Sequence, residues 1–235
     1  MLINRLHRLL TAPIAKISRS QTIFWFSLSL TFATIYGILG LREAFSSEYV
    51  VQDDARQHVF WMQRFLDPEL FPKDLIADYF QSVAPAGYTA IYQSMASLGI
   101  NPLVLNKLLP TMLGLITTGY GFGVCLELLP VPAAGFIAML LLNQSLWMKD
   151  DLISATPRAF VYPLFLAFLY YLLRRYILAV CVAIALLGLF YPQFVLITAI
   201  VLILQLLDWD TGVPKLSQNR HNYLFCAAGL GVALL

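Results

Sequence analysis

The stretch Thr22–Leu41 is twenty residues long, apolar, and free of any charge. As an α-helix rising 1.5 Å per residue it would be about 30 Å long, the thickness of a bilayer's hydrocarbon core. Five further apolar runs follow, at Leu103–Leu128, Pro132–Trp147, Pro157–Leu173, Tyr176–Phe190 and Gln193–Leu207, and a last one starts at Tyr223 and is still running at Leu235. Charged residues make up 12% of the chain, whereas a soluble domain carries about a quarter. A soluble globular domain is therefore excluded, and so is a disordered chain, which needs low hydrophobicity and high charge. The pattern is that of an all-α polytopic membrane protein. A net charge of +2 is too small to point to nucleic acid, so what matters is where the charges sit.

Prolines 130, 132, 157, 192 and 214 punctuate the runs, and proline sits best in a helix's first turn or outside it. Several runs have seventeen residues or fewer, about 25 Å as helix, so some helices should be partial or tilted. Residues Tyr176–Leu207 could form one kinked helix of about 48 Å, longer than any bilayer core. A hairpin turning at Tyr191-Pro192 fits better. Cys125, Cys181 and Cys226 lie far apart inside apolar runs and read as small packing residues.

Residues 1–21 form a basic segment with Arg5, Arg8, Lys16 and Arg19 and no acid; Leu2, Leu6, Leu9 and Leu10 could share an interfacial helical face. No small-x-small cleavage site precedes Arg42, so run 22–41 reads as a retained anchor rather than a signal peptide. The Lys/Arg bias places the N-terminus in the cytoplasm. The segment 42–102 is then external, Glu127–Pro132 internal, Lys149–Thr156 external, Arg174-Arg175 internal, Tyr191-Pro192 external and Asp208–Asn222 internal. Asp53-Asp54 and Asp150-Asp151 thus share the non-cytoplasmic side. The segment 103–235 should hold about five further complete helices and one cut short, so the chain reads as the N-terminal part of something longer.

The external segment Arg42–Pro102 contains eight acids and four Lys/Arg residues and is too long and patterned for a plain connector. Ala55, Val59, Met62 and Leu66 recur at helical spacing, which predicts an amphipathic helix on the outer leaflet. Asp54 with Gln57 fits a capping box, putting a carboxylate at that helix's positive end. Asp53 and Asp54 either cap and solubilise the helix, or act as general base toward a hydroxyl or ligand to a divalent cation. His58, four residues after Asp54, is the weaker metal candidate. Asp67–Asp74 reads as a turn, and Tyr88–Leu98 as a second interfacial helix. In the later loop, Thr156 as N-cap and Pro157 at the first helical position mark a helix start. With Arg158 they make a phosphate-binding corner, beside Asp150 and Asp151; the alternative is an arginine reaching to the interface. There is no Walker loop, GxSxG, HExxH or dinucleotide fingerprint.

Asp53-Asp54 soon after the first helix, the run Ala55–Leu66, Asp67-Pro68-Glu69-Leu70-Phe71-Pro72-Lys73-Asp74, and Asp150, Asp151 and Arg158 in a later loop together resemble the type C glycosyltransferase superfamily. That group includes protein O-mannosyltransferases, the oligosaccharyltransferase catalytic subunit and bacterial aminoarabinose transferases; the 67–74 stretch is similar to a bacterial subset. The resemblance covers most of the chain and rests on topology and one short motif. It implies a transmembrane bundle with interfacial helices in the first external loop, in a bacterial inner membrane. It also implies a polyprenyl-phosphate sugar donor and an inverting transfer on the outer face. Asp54, supported by Asp53, would be the base or, with a divalent cation, a metal ligand; Arg158 would touch the donor phosphate. Such enzymes usually have ten or more transmembrane helices, against six complete runs here. A transporter or lipid flippase fits less well, because nearly every charge lies at a run's end rather than at mid-depth. A non-catalytic membrane protein, or an inactive remnant of such an enzyme, is the other reading.

Overall fold

The computed structural model describes residues 10–16, 18–208 and 214–234. Among them the structure is almost wholly helical; its one sheet is a two-residue antiparallel ladder, β1 (Leu207–Asp208) with β2 (Lys215–Leu216). Arg5, Arg8, Leu2, Leu6 and Leu9 of the basic segment, part of the Asp208–Asn222 loop, and Leu235 lie outside the described residues.

Helix α1 spans Arg19–Ala44 and begins at a full capping box, with Ser18 and Gln21 each accepting the other's backbone N–H. Its protein face carries Trp25 near the start and then only small residues: Ser29, Ala33, Gly37 and Ala44 are buried, while Ile23, Phe24, Ile35, Ile38 and Leu39 point outward. Small residues let two backbones close up. A Cβ at Gly37 would lie 2.6 Å from Thr111 Cγ2, and one at Gly40 would strike the Trp147 ring. The partners are the later helices α5 (Pro102–Leu128) and α6 (Pro132–Trp147). By length and composition α1 and α5 are each apolar enough to cross a membrane.

Between α1 and α5 the chain folds into short pieces: α2 (Ala55–His58), a 3-10 turn (Phe60–Phe65), α3 (Leu75–Val83) and α4 (Ala86–Ser97). The single amphipathic helix expected over Ala55–Leu66 is broken at Val59. Ala55, Val59, Trp61 and Met62 are all fully buried, and no single face of a straight α-helix carries all four. The tighter turn swings Trp61 inward, so the segment is inserted into the protein rather than laid along a surface. The 67–74 turn does form. Phe71 and Lys73 take positive φ there, and Arg64 fastens it by donating to the carbonyls of Leu70 and Phe71 and to Asp78 and Gln81. The expected second helix is α4.

After α6 come α7 (Asp150–Ile153), a 3-10 turn (Pro157–Phe160) running into α8 (Val161–Leu173), α9 (Ile177–Phe190), α10 (Val195–Leu204) and α11 (Arg220–Ala233). Helix α5 packs on α8, α8 on α9, and α11 on both α9 and α10. Residues 176–207 form the hairpin. In one continuous helix Ile184 and Leu202 would be about 27 Å apart, yet both close on Gly229.

The connections gather at two ends. Ile14 N–H donates to Pro130 O, Arg174 pairs with Glu127, and Arg175 donates to Asn222, which itself donates to Gln205 O. The start of α1, the 129–131 link, the 174–176 turn and the start of α11 therefore share one end, the terminus end, from which α11 runs back along α9 and α10. At the other end, segment 45–101 meets 148–160 and 191–194: Tyr88 donates to Ala155 O, and Phe160 stacks on Phe190 at 4.4 Å.

Candidate functional site

The loop end is organised around the strained turn 150–160. Helix α7 ends at Ser154, and Ala155 follows with φ +43°, a left-handed conformation that costs a residue with a Cβ and persists only when its surroundings hold it. Two carbonyl acceptors do so. Tyr88 Oη donates to Ala155 O at 3.1 Å, and Asn106 Nδ2 donates to Ser154 O at 2.6 Å and to Tyr92 Oη at 3.3 Å. Asn106 sits one turn before Pro110 inside α5, and proline supplies no N–H to the carbonyl four residues back. Burial pushes the Tyr92 hydroxyl up to about 12, against the opposing pull of the Asn106 hydrogen bond, and carries Tyr88 well above the ordinary phenol value. Both hydroxyls therefore stay neutral.

On this scaffold Asp151 faces two partners. Its Oδ1 lies 3.2 Å from Arg158 Nη1, and its Oδ2 accepts from Tyr162 Oη at 3.2 Å. Asp151 is largely buried, whereas the Arg158 side chain is 61% exposed, so the guanidinium keeps donors free for another anion. Arg158 and Tyr162 open onto an apolar chamber of about 360 Å³ walled by Leu142, Phe165, Leu166 and Phe194.

The helix start here differs from the capped corner expected from sequence. Thr156 is the N-cap with Pro157 behind it, but its side chain caps nothing; Thr156 Oγ1 instead lies 3.5 Å from Asp151 O, and the first turn is 3-10. Asp150 is exposed at the first position of α7 and takes no part in the Arg158 cluster.

Asp54 is corrected in the same way. It precedes α2, but with φ −66° and ψ −24° it is already helical, and its carboxylate makes no capping bond. A capping side chain needs an extended backbone to reach the N2 and N3 amides. Asp74 has one, and its Oδ1 accepts from the N–H of Ile76 and of Ala77. Among the described residues Asp53 and Asp54 have no ion-pair or hydrogen-bond partner for their carboxylates, and neither is joined to Asp151 or Arg158. What the structure brings together is their flanks: Gln52, just before Asp53, and Ile153, two residues past Asp151, line the same narrow gap with Lys107 and Trp147.

His58 packs its ring edge-on to Phe80. Burial lowers its pKa and the charge of Asp54 acts against that shift. Among the described residues no group of three or more His, Cys, Asp or Glu side chains is placed to hold a metal ion. The three cysteines are free thiols.

Sequence reasoning missed Tyr88, Tyr92, Asn106 and Tyr162. Asn106 carried a signal, a polar side chain one turn inside an apolar run, where such groups find a buried partner or a function. The tyrosines carried none, because at a membrane boundary tyrosine is expected anyway. Comparison with protein-family models, curated proteins and solved structures returned no match for this chain.

Proposed function

We propose that this chain is a multi-pass membrane glycosyltransferase, or a portion of one, that takes a sugar from a polyprenyl-phosphate donor at its loop end. The observation that carries the reading is the Asp151–Arg158–Tyr162 cluster: an exposed guanidinium, oriented by a buried carboxylate, at the mouth of an apolar chamber. A lipid-linked phosphate asks for that combination, a planar cation for the phosphate oxygens and an apolar wall for the first prenyl units. Supporting the membrane placement are α1 and α5, with their outward apolar faces. The surplus of Lys and Arg over acids before α1 favours the terminus end on the cytoplasmic side and the loop end outside, and the family resemblance favours a bacterial inner membrane.

Asp54 is the candidate base, a carboxylate at the same end of the molecule with no hydrogen-bond or ion-pair partner among the described residues. In the reaction the acceptor hydroxyl gives its proton to the Asp54 carboxylate as its oxygen bonds to the anomeric carbon. The bond from that carbon to the phosphate oxygen breaks, and polyprenyl phosphate leaves with the electron pair, inverting the anomeric centre. Arg158 bears the growing charge on the leaving phosphate, and Asp151 with Tyr162 positions Arg158.

The test is transfer of label from polyprenyl-phosphate-linked radioactive hexoses and pentoses by the protein in proteoliposomes. Asp54→Asn should cut the turnover rate by about 10² or more, the usual contribution of a general base, with membrane insertion unchanged. Arg158→Lys should raise the KM for donor. Wild-type transfer by Asp54→Asn would end the catalytic assignment, and no transfer from any donor in the panel would end the enzyme reading.

A further inference from the structure

A large apolar groove lies on the other face of α8 from the Arg158 chamber. It runs between α5, α8 and α9, encloses about 970 Å³, and follows α9 from Ile177 to Phe190. That is a length of about 20 Å, enough to cross one leaflet's half of a 30 Å hydrocarbon core. Its walls are Leu113, Ile116, Leu164, Val182 and Leu186, almost without polar surface. A second groove of about 500 Å³ beside α1 shares Ile116 and Tyr120 with the first. The two open side by side.

The polar groups that line the grooves gather at the terminus end. Arg175 and Tyr176 line the large groove there, and the hydroxyls of Tyr120 and Tyr171 meet at 3.1 Å. Tyrosines and arginines at one level mark a headgroup boundary. The two arginines are not equivalent. Arg174 is neutralised by Glu127 at 3.0 Å, whereas the Arg175 guanidinium, among the described residues, donates to the neutral amide of Asn222 at 2.7 Å and lies 5.9 Å from the centre of the Phe225 ring. Among the described residues Arg175 has no carboxylate partner. It is held at φ +60°, a conformation that the chain adopts here where α8 gives way to α9 and that sets the guanidinium at the groove's mouth.

We propose that this pair of grooves binds one diacyl anionic phospholipid of the cytoplasmic leaflet, its phosphate on Arg175 and its acyl chains in the two grooves. The site rests on the membrane placement proposed above but not on the transfer reaction. Its headgroup contact, Arg175, lies at the opposite end of the molecule from Arg158, and charge complementarity with an arginine that has no carboxylate partner among the described residues selects an anionic headgroup over a zwitterionic one.

The experiment is native mass spectrometry of the full chain released from nanodiscs holding equal amounts of phosphatidylglycerol and phosphatidylcholine with identical chains. Wild type should retain phosphatidylglycerol at about tenfold excess, the discrimination expected of one charge-assisted contact. Arg175→Gln should bring the two lipids near parity while still retaining some of each. Val182→Trp, which fills the groove from an exposed position, should lose both lipids and leave Arg175 in place. Equal retention by wild type, an undiminished preference in Arg175→Gln, or a dimer in place of lipid would each overturn the proposal. Carbonate extraction of the same membranes separates the two claims. A protein that stays in the pellet but binds no anionic lipid refutes the site alone, and one that is extracted refutes the membrane placement.

Discussion

The two ends of the molecule are tied by different chemistry. At the loop end the ties are buried and directed: Tyr88 and Asn106 reach backbone carbonyls of a strained turn, and Trp61, Met62, Tyr88 and Tyr92 are fully shut away from solvent. Four of the six buried side-chain atoms with no hydrogen-bond partner among the described residues lie there, Gln52 Oε1, Trp61 Nε1, Trp147 Nε1 and Ser154 Oγ; Asn143 Oδ1 lies within α6 and Gln205 Oε1 at the terminus end. At the terminus end the ties are ion pairs and amide contacts near the surface, Glu127 with Arg174 and Arg175 with Asn222. Buried unsatisfied polar groups and left-handed alanine both cost stability. A protein tolerates them where the geometry serves something besides folding, and their concentration at the loop end makes it the first place to seek the transfer chemistry.

Breaking the loop end should have the largest effects. Trp61 anchors the 55–65 segment against the 152–160 turn in one apolar cluster. Trp61→Ala should destabilise by about 3–5 kcal/mol, the range for truncating a buried aromatic. The effect should appear as early proteolysis within 45–101 and a lowered Tm in detergent. Loss confined to the Tm, with the segment still protected, would mean that 55–65 is held by something other than this cluster.

Asn106→Leu should come next. It keeps the volume but leaves Ser154 O, buried at the end of α7, without its donor, a loss of about 1–3 kcal/mol. Tyr88→Phe removes only the hydroxyl that holds Ala155 O and should cost less, about 1 kcal/mol. If the strained turn serves Arg158, both variants should weaken donor binding as well as stability. A stability loss with unchanged binding would separate the turn from the site.

What the sequence made legible follows from the range of each interaction. Helix positions came from apolar periodicity and proline placement, so α1, α4, α6 and the 176–207 hairpin lie where the runs put them, and Arg158 meets one member of its neighbouring acid pair. The all-helical class was readable for the same reason. The break at Val59 was not, because Trp61 turns inward to join a cluster that also holds Leu105, Leu152 and Ala159, residues distant in sequence. Capping failed at Asp54 and succeeded at Asp74 on backbone angles that an S/T/D-x-x-E/Q pattern does not encode. Tyr162 became part of the cluster only because a 3-10 first turn sets the phase of α8.

His58 sharpens the comparison at smaller scale. Burial holds its pKa below the ordinary 6.5, so the imidazole is neutral in both folded and unfolded chains above that value and its contribution is fully present. As pH falls from about 6.5 through the folded pKa, the unfolded chain takes up its proton first, and loop-end stability declines. Asp54→Asn removes the opposing charge, so His58 should titrate at still lower pH and the loss should extend over a wider range. Imidazole resonances in the two proteins read this directly. An unchanged His58 titration in Asp54→Asn would place the Asp54 carboxylate farther from the ring than the structure does.

The smallest effect should come from the terminus end. Arg174 and Glu127 meet at 3.0 Å but Arg174 is 46% exposed, and an exposed pair gains little in water and is screened by salt. Glu127→Gln should therefore leave the Tm within error of wild type, and 0.5 M salt should not widen the gap. The informative control is Asn106→Leu in the same detergent and salt series, where the loss should persist because the broken contact is a buried neutral hydrogen bond that screening does not reach. A Glu127→Gln loss as large as that of Asn106→Leu would erase the contrast between the ends. It would make the terminus end a second organised centre, with Arg174 rather than Arg175 as the arginine that matters there.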